Sequence, residues 1–324
     1  MNMALRPMPQ RTSAAALDHA AILYDGRAAL LAAVVPFVRE ALESGGVVVA
    51  VTTAATGDAL AAGLAAQASG VLFAGAESVY THPVRALAAY DRFVRRHRPA
   101  RVWVLAEPFW RTFDRPDRWV GYEAAVNAAF ADSGAQVRCL YDTGFLAPAV
   151  VDGVLLTHPI LIDALVRRPN PGYRDARSVL SELRAAPLPG PPQVPLLIPL
   201  AEGQLDIRAL RHDLAVYATT AGMAEPAVRL MLIAVCEVAA NAAKHGTDPM
   251  QVRVWHQGGA LVVEVIDCGH WRPDPLLGWI PPEPGLGFGM WSARLLADAV
   301  DIRTGWSGTT VRLTFPISSG QARP

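Results

Sequence analysis

A chain of 324 residues is long enough for two ordinary domains, and with hydrophobic residues at 52% each can bury its own core. The formal net charge of zero excludes a chain-wide basic surface, so neither direct nucleic-acid binding nor attachment to an anionic membrane is expected. Cys139, Cys236 and Cys268 are an odd number without C-x-x-C spacing, which argues against a disulfide framework or a structural zinc site and for a cytoplasmic chain.

Residues 1–16 read as a disordered tail, with arginines among prolines and small residues but no continuous apolar core of a signal peptide. The longest apolar run, 28–38, contains Pro36 and is too short to span a bilayer. Ala20 to Tyr24 reads as a short strand ending at Asp25-Gly26. A helix from Arg27 to Glu43, stopped by Gly45-Gly46, leads into the buried strand Val47 to Thr52. This unit repeats. Helices are expected at Gly57–Ala68, Pro83–Arg96 and Trp119–Ala131, alternating with strands at Val71–Ala74, Arg101–Ala106 and Gln136–Tyr141. Helices alternating with apolar strands imply an α/β domain with a mainly parallel, three-layer sheet over 17–172. Such sheets bind ligands at the carboxyl ends of their strands, where Asp25, Glu107 and Tyr141-Asp142 fall. The P-loop pattern G-x-x-x-x-G-K-[ST] is absent, so nucleotide hydrolysis through such a loop is not expected in this domain.

Residues 173–195 form a connection, a helix from Arg174 to Arg184 followed by the proline-rich 187–195, which cannot continue a helix. The second domain, 196–318, precedes a short tail at 319–324. It opens with a candidate edge strand, Leu196 to Leu200, and a helix capped by Asp206 that runs to Thr220. A helix from Glu225 to Ala243 follows, stopped by Gly246. Strands Gln251–Gln257 and Ala260–Asp267 flank Gly258-Gly259, a two-residue hairpin signal. After the proline-rich stretch 271–284, Gly285 to Gly289 opens a helix to Ala297, and strands Val300–Thr304 and Thr309–Pro316 close the sheet.

The chemistry concentrates in Cys236 to Gly246. Glu237 and Asn241 are four residues apart on one helix face, and Lys244, the single lysine of the chain, lies three further on. A carboxylate can orient or deprotonate a hydroxyl, an amide oxygen suits a hard cation such as Mg2+, and an ammonium can hold a phosphate oxygen. An isolated E-x-x-x-N also occurs as the solvated stripe of an amphipathic helix, so neighbouring motifs decide. Glu123 and Asn127 repeat the spacing without a glycine-rich loop nearby, and a buried helix facing the sheet accounts for them.

Two resemblances extend this reading. In the first domain, His19 to Asp25, Glu107-Pro108-Phe109-Trp110, Glu123 to Asn127, Cys139-Leu140-Tyr141-Asp142 and Thr157-His158-Pro159 together resemble the MEDS sensory domain over 17–168. The resemblance implies a small-molecule sensing role, with His19, Glu107, Trp110, Cys139 and His158 as candidate pocket residues. His19, Glu107, Cys139 and His158 have the softness for a metal but no paired spacing, so a metal site is not expected among them.

In the second domain, Glu237 to Asn241, Asp267-Cys268-Gly269 and Gly285 to Gly289 resemble, in order, the N box and the two glycine boxes of the GHKL ATPases. This resemblance implies an α+β two-layer sandwich that binds ATP with Mg2+. Asn241 would then coordinate the Mg2+ and Glu237 act as base or orienting carboxylate. Lys244 would meet a phosphate, and Asp267 would accept from the adenine amino group. Gly269 would admit the purine, and Gly285, Gly287 and Gly289 would present amides to the phosphates. Trp271 stands where the second glycine of D-x-G-x-G would be, a departure from the family pattern.

Asp274 to Gly278 and Gly287 to Trp291 look most like the anti-sigma serine/threonine kinases. That implies a regulator that phosphorylates an antagonist of the anti-anti-sigma type and sequesters a sigma factor, possible as a homodimer. Two alternatives remain: a non-catalytic ATP-gated partner-binding protein and a histidine kinase. The latter would need a helical hairpin bearing a histidine, which 173–186 does not supply.

Overall fold

The computed structural model describes residues 16–108, 116–200, 205–282 and 289–317. The expected tails at 1–16 and 319–324 fall almost wholly outside these residues, as do Trp110, Gly285 and Gly287. The chain divides into two compact units. One comprises the chain to residue 80 with 89–113 and 126–173, and the other comprises 81–88, 114–125 and the chain from 174.

The first unit is built on a seven-stranded sheet. Its elements begin with β1 (Asp18–Tyr24), α1 (Gly26–Glu43), β2 (Val47–Thr52), α2 (Ala54–Leu64), a 3-10 turn at Ala65–Gly70, β3 (Val71–Gly75) and α3 (Ala76–Val79). They continue with α4 (Pro83–His97), β4 (Val102–Ala106), α5 (Pro116–Ala129), β5 (Gln136–Asp142), α6 (Pro148–Thr157), β6 (Ile160–Asp163) and β7 (Val166–Pro169). The partition into units passes through α4 and α5, each a continuous helix.

Strand order is β3-β2-β4-β5-β1-β6-β7, parallel throughout except for the terminal β6–β7 pair. The expected α/β fold with a mainly parallel sheet is thus the observed one. Its central strands are apolar on both faces because helices cover both: all five residues of β4 are buried, and Val34, Phe37 and Val38 of α1 pack with Val48, Trp103 and Leu140.

Three details differ from the sequence reading. The helix expected at Gly57–Ala68 starts earlier, where Thr53 caps it by accepting from the Thr56 amide, and it tightens into the 3-10 turn after Leu64. The short α3 was not anticipated. Nor were α6, β6 and β7; β7 is exposed along its whole length, so it carries no apolar alternation to reveal it.

The second unit holds α7 (Ala176–Ala185), β8 (Leu196–Leu200), α8 (Ile207–Thr220), α9 (Glu225–His245), β9 (Met250–Gln257), β10 (Ala260–Asp267), α10 (Gly289–Leu296), β11 (Ala299–Gly305) and β12 (Gly308–Pro316). Its strands form one antiparallel sheet in the order β11-β12-β10-β9-β8, with β8 at the edge. This is the α+β two-layer sandwich that the GHKL resemblance implies. Asp206 caps α8 through the amides of Arg208 and Ala209, and Gly258 and Gly259 turn the β9–β10 hairpin with φ of 56° and 75°.

α9 is long and apolar enough to cross a bilayer, at a mean hydropathy of 1.5, but 56% of that window is buried within the fold. Met231, Val235, Val238 and Ala239 on its inner face pack with Val252, Val254, Val263 and Leu313 of the sheet, so α9 is a core helix.

The other sheet face is closed by a buried ion pair. Arg312 of β12 donates through Nε and Nη2 to Glu264 Oε1 of β10 at 2.8 and 2.6 Å, with its guanidinium 5.1 Å from the Trp255 ring centroid. Arg312 Nη2 also donates to Pro189 O at 2.7 Å, which pins the proline-rich connection to this face.

Candidate functional site

α9 presents its polar stripe outward because the face opposite it belongs to the core. Glu237, Asn241 and Lys244 are all exposed, while Val238, Ala239, Ala242 and Ala243 between them are buried. α10 begins at Gly289 directly against this stripe. A Cβ built on Gly289 would lie 3.2 Å from Asn241 Nδ2 and 3.4 Å from Glu237 Oε2. The glycine therefore leaves just enough room for the amide and carboxylate to keep their places.

A second group forms where β10 ends. Asp267 is only 7% exposed, and its Oδ1 accepts the Gly269 N–H at 2.7 Å. Gly246, which stops α9, packs against it so closely that a Cβ there would lie 2.9 Å from Asp267 Cβ. Burial pushes the Asp267 carboxyl above its ordinary value, opposed by the backbone N–H groups of Gly269 and Thr247.

Two threonines missed in the sequence reading belong to this neighbourhood. The Thr247 carbonyl accepts the Cys268 N–H at 2.9 Å. Thr309 pairs with Asp267 across β10 and β12 and donates from Oγ1 to Gly269 O at 3.3 Å. The strand pairing that brings Thr309 there has no local signal, whereas Thr247 directly follows the helix stop and was open to notice.

The donor set fits Mg2+ and a nucleotide in kind. A neutral amide oxygen on an exposed helix face suits a hard cation, and Gly269 and Gly289 are two positions where a side chain would intrude on Asp267 and on Asn241. Lys244 lies exposed in the last turn of the same helix. Trp271 is 39% exposed on the chain after Gly269.

In the first unit the sensory candidates separate into two places. Glu107 follows β4 at the carboxyl end of the sheet. Its Oε2 accepts the Thr53 N–H at 2.7 Å and the Thr53 hydroxyl at 3.0 Å, and its Oε1 accepts the Thr56 hydroxyl at 3.1 Å. Glu107 lines a cavity of about 830 Å³ with Tyr24, Arg27, Thr56, Asp142 and Phe145, a size suited to a small organic ligand. The cavity lies at the carboxyl ends of the parallel strands, where Glu107 and Asp142 fall.

His19, Cys139 and His158 lie instead toward the amino end of β1, and all three are buried. His19 Nε2 is 3.3 Å from Cys139 Sγ, its Nδ1 is 3.0 Å from Asn127 Oδ1, and its ring centroid is 4.3 Å from that of His158. Asn127 in turn donates from Nδ2 to Thr157 O at 2.7 Å. Burial holds His19 neutral, its pKa brought down to about 4, and lowers His158 well below the usual imidazole range. Glu107 lies beyond the opposite end of the strands from the two histidines and the cysteine.

Residues 18–159 match the family described as the MEthanogen/methylotroph, DcmR Sensory domain (MEDS), and residues 201–315 match the Histidine kinase-like ATPase domain. No curated protein sequence matches the chain. Among solved structures it is similar to the RsbU and RsbW domains of Rv1364c from Mycobacterium tuberculosis, at 24% identity and a TM-score of 0.30, covering 39% of this chain and 33% of that one. It is also similar to the histidine kinase domain of a blue-light activated histidine kinase from Erythrobacter litoralis, at 24% identity and a TM-score of 0.23, covering 28% of this chain and 45% of that one. In both cases less than half of the other chain's length is spanned. The chain joins a MEDS sensory domain to a GHKL-type, histidine kinase-like ATPase domain.

Proposed function

We propose that the protein is a cytoplasmic signalling regulator in which a small molecule held by the MEDS domain controls an ATP-binding, anti-sigma-type domain. That domain phosphorylates a serine or threonine of an antagonist protein and sequesters a sigma factor. The convergence of Glu237, Asn241 and Gly289 on one spot is the observation that carries the reading. Mg-ATP, when bound, supplies the transferable phosphoryl group. Asn241 holds the cation through its side-chain oxygen, and Lys244 meets a phosphate oxygen. Asp267, fixed by the Gly269 N–H, would recognise the purine edge, and Gly269 and Gly289 would let the backbone come close; the GHKL resemblance gives Gly285 and Gly287, outside the described residues, the same phosphate-facing role. Glu237 orients the attacking hydroxyl and takes up its proton. The anti-sigma assignment rests on the resemblance of Asp274 to Gly278 and of Gly287 to Trp291 to that family.

On the input side, Glu107 held by Thr53 and Thr56 supports the 830 Å³ cavity as the sensing pocket, since it is a fixed polar anchor in an otherwise mainly apolar recess. His19, Cys139 and His158 stay outside this pocket. Trp110 directly follows Phe109 on the chain leaving Glu107.

Labelled ATP incubated with the chain and a candidate antagonist tests the transferase reading. Transfer to a serine or threonine that is lost in Glu237→Gln, with ATP binding retained, is the expected result. Saturable ATP binding with no transfer to any partner would favour a second reading, a non-catalytic ATP-gated binder, for which Trp271 in place of a glycine speaks. An acid-labile phosphoryl group on the chain itself would identify a histidine kinase.

A further inference from the structure

The cluster around His19 has a use that sensing in the carboxyl-end cavity does not require. His19, Cys139 and His158 each offer one ligand atom, all are buried, and these atoms lie within 4.8 Å of one another. They come from β1, β5 and the chain leaving α6, so no local spacing marks them.

The hydrogen bonds determine which nitrogen of each histidine is available. Asn127 donates from Nδ2 to Thr157 O, which fixes its Oδ1 toward His19; that oxygen can only accept, so His19 Nδ1 carries the proton. His158 Nδ1 lies 3.0 Å from Val154 O, a carbonyl that again can only accept. Both imidazoles therefore have Nδ1–H committed and an unprotonated Nε2. His19 Nε2 faces Cys139 Sγ, and His158 Nε2 lies 3.5 Å from the Tyr141 hydroxyl. Histidines that bind metals show this arrangement, in which a carbonyl or similar acceptor on one nitrogen fixes the tautomer and orients the other.

We propose that His19, Cys139 and His158 bind one divalent, borderline-soft metal ion of the zinc type within the first unit. Zn–N and Zn–O bonds of about 2.0–2.2 Å and a Zn–S bond of about 2.3 Å place tetrahedral ligand atoms roughly 3.3–3.7 Å apart. Contraction from 4.8 Å is thus about 1.5 Å at most, within reach of side-chain rotation. The Cys139 thiolate cancels one of the two charges of the dication, which lowers the cost of holding the ion in a core. The Cys139 thiol gives up its proton when the Sγ–metal bond forms. The expectation against a metal site at the two histidines and Cys139 rested on the lack of paired spacing, which ligands scattered over separate elements do not display.

The full chain, purified without a polyhistidine tag, should carry about one equivalent of zinc per chain by plasma mass spectrometry, directly or after dialysis against Zn2+. Cys139→Ala should reduce this at least tenfold, and a strong chelator should lower the melting temperature of the wild type. Metal content near background both before and after dialysis would overturn the proposal, as would full stoichiometry in Cys139→Ala. Should that variant fail to fold, cobalt-substituted wild type provides a separate reading: a thiolate-to-cobalt charge-transfer band in the near ultraviolet supports the site, and its absence excludes Cys139 as a ligand.

Discussion

Gly289→Ala separates a stability effect from a site effect because the two have opposite signs. The residue begins α10, and an added methyl group in a helix replaces glycine's excess backbone entropy, worth up to about 1 kcal/mol in favour of the fold. The methyl would stand 3.2 Å from Asn241 Nδ2 and 3.4 Å from Glu237 Oε2, closer than comfortable contact by a few tenths of an ångström. Both neighbours are exposed side-chain ends and yield easily, so the fold loses little. What they lose is position. Displacing Asn241 from a metal-bound nucleotide forfeits one interaction with a charged group, about 1.5–3 kcal/mol, or roughly ten- to hundredfold in affinity. Thermal melting of the apo chain and titration with Mg-ATP measure the two effects side by side. A variant at least as stable as wild type and ten- to hundredfold weaker for Mg-ATP is expected; unchanged affinity in a well-folded variant would refute the placing of Asn241 and Glu237 in the nucleotide wall.

Asp267 gives a pH signature. Its folded pKa is raised by burial, so its contribution to folding is present below the ordinary carboxylate value of 3.8 and is lost as pH rises through the raised value. Nucleotide recognition needs the ionised form and runs the other way. Mg-ATP affinity should fall on acidification, beginning above pH 3.8, while apo stability shows no parallel loss from this group. Asp267→Asn should bind more weakly at neutral pH and lack that component of the pH dependence, which calorimetry across a pH series would reveal. Glu264→Ala, which leaves Arg312 buried without its carboxylate, should cost about 3–5 kcal/mol in denaturant melts, whereas the double replacement Glu264→Leu with Arg312→Met should be much closer to neutral. Equal losses in the single and double variants would show that the pair's charge contributes little.

The second domain was legible because its signals are local. Gly258-Gly259 takes the positive φ values that the hairpin requires, Asp206 caps α8, and the apolar run of α9 packs as the core helix its composition implies. Glu237 and Asn241 were legible for the same reason, being one helical turn apart. Thr309 was not, since it reaches Asp267 only through the β10–β12 pairing. The first domain shows the same division. Its alternation of helices and apolar strands gave the parallel sheet, but the strand order that puts β1 between β5 and β6 decides which polar residues meet. That order gathers His19, Cys139 and His158 and leaves Glu107 at the far end with Thr53 and Thr56. Glu123 and Asn127, read as a buried helix face, are indeed buried or partly so, and Asn127 is also the side chain that fixes His19.

The central claim is that the stripe on α9 and the carboxylate ending β10 form one nucleotide site. Isothermal titration of the full chain with Mg-ATP, alongside Asn241→Ala and Asp267→Asn, tests it most directly. Saturable binding of one nucleotide per chain, weakened at least tenfold by either substitution while both variants melt like wild type, is the predicted result. Absence of binding by the wild type, or binding that neither substitution alters, would contradict it.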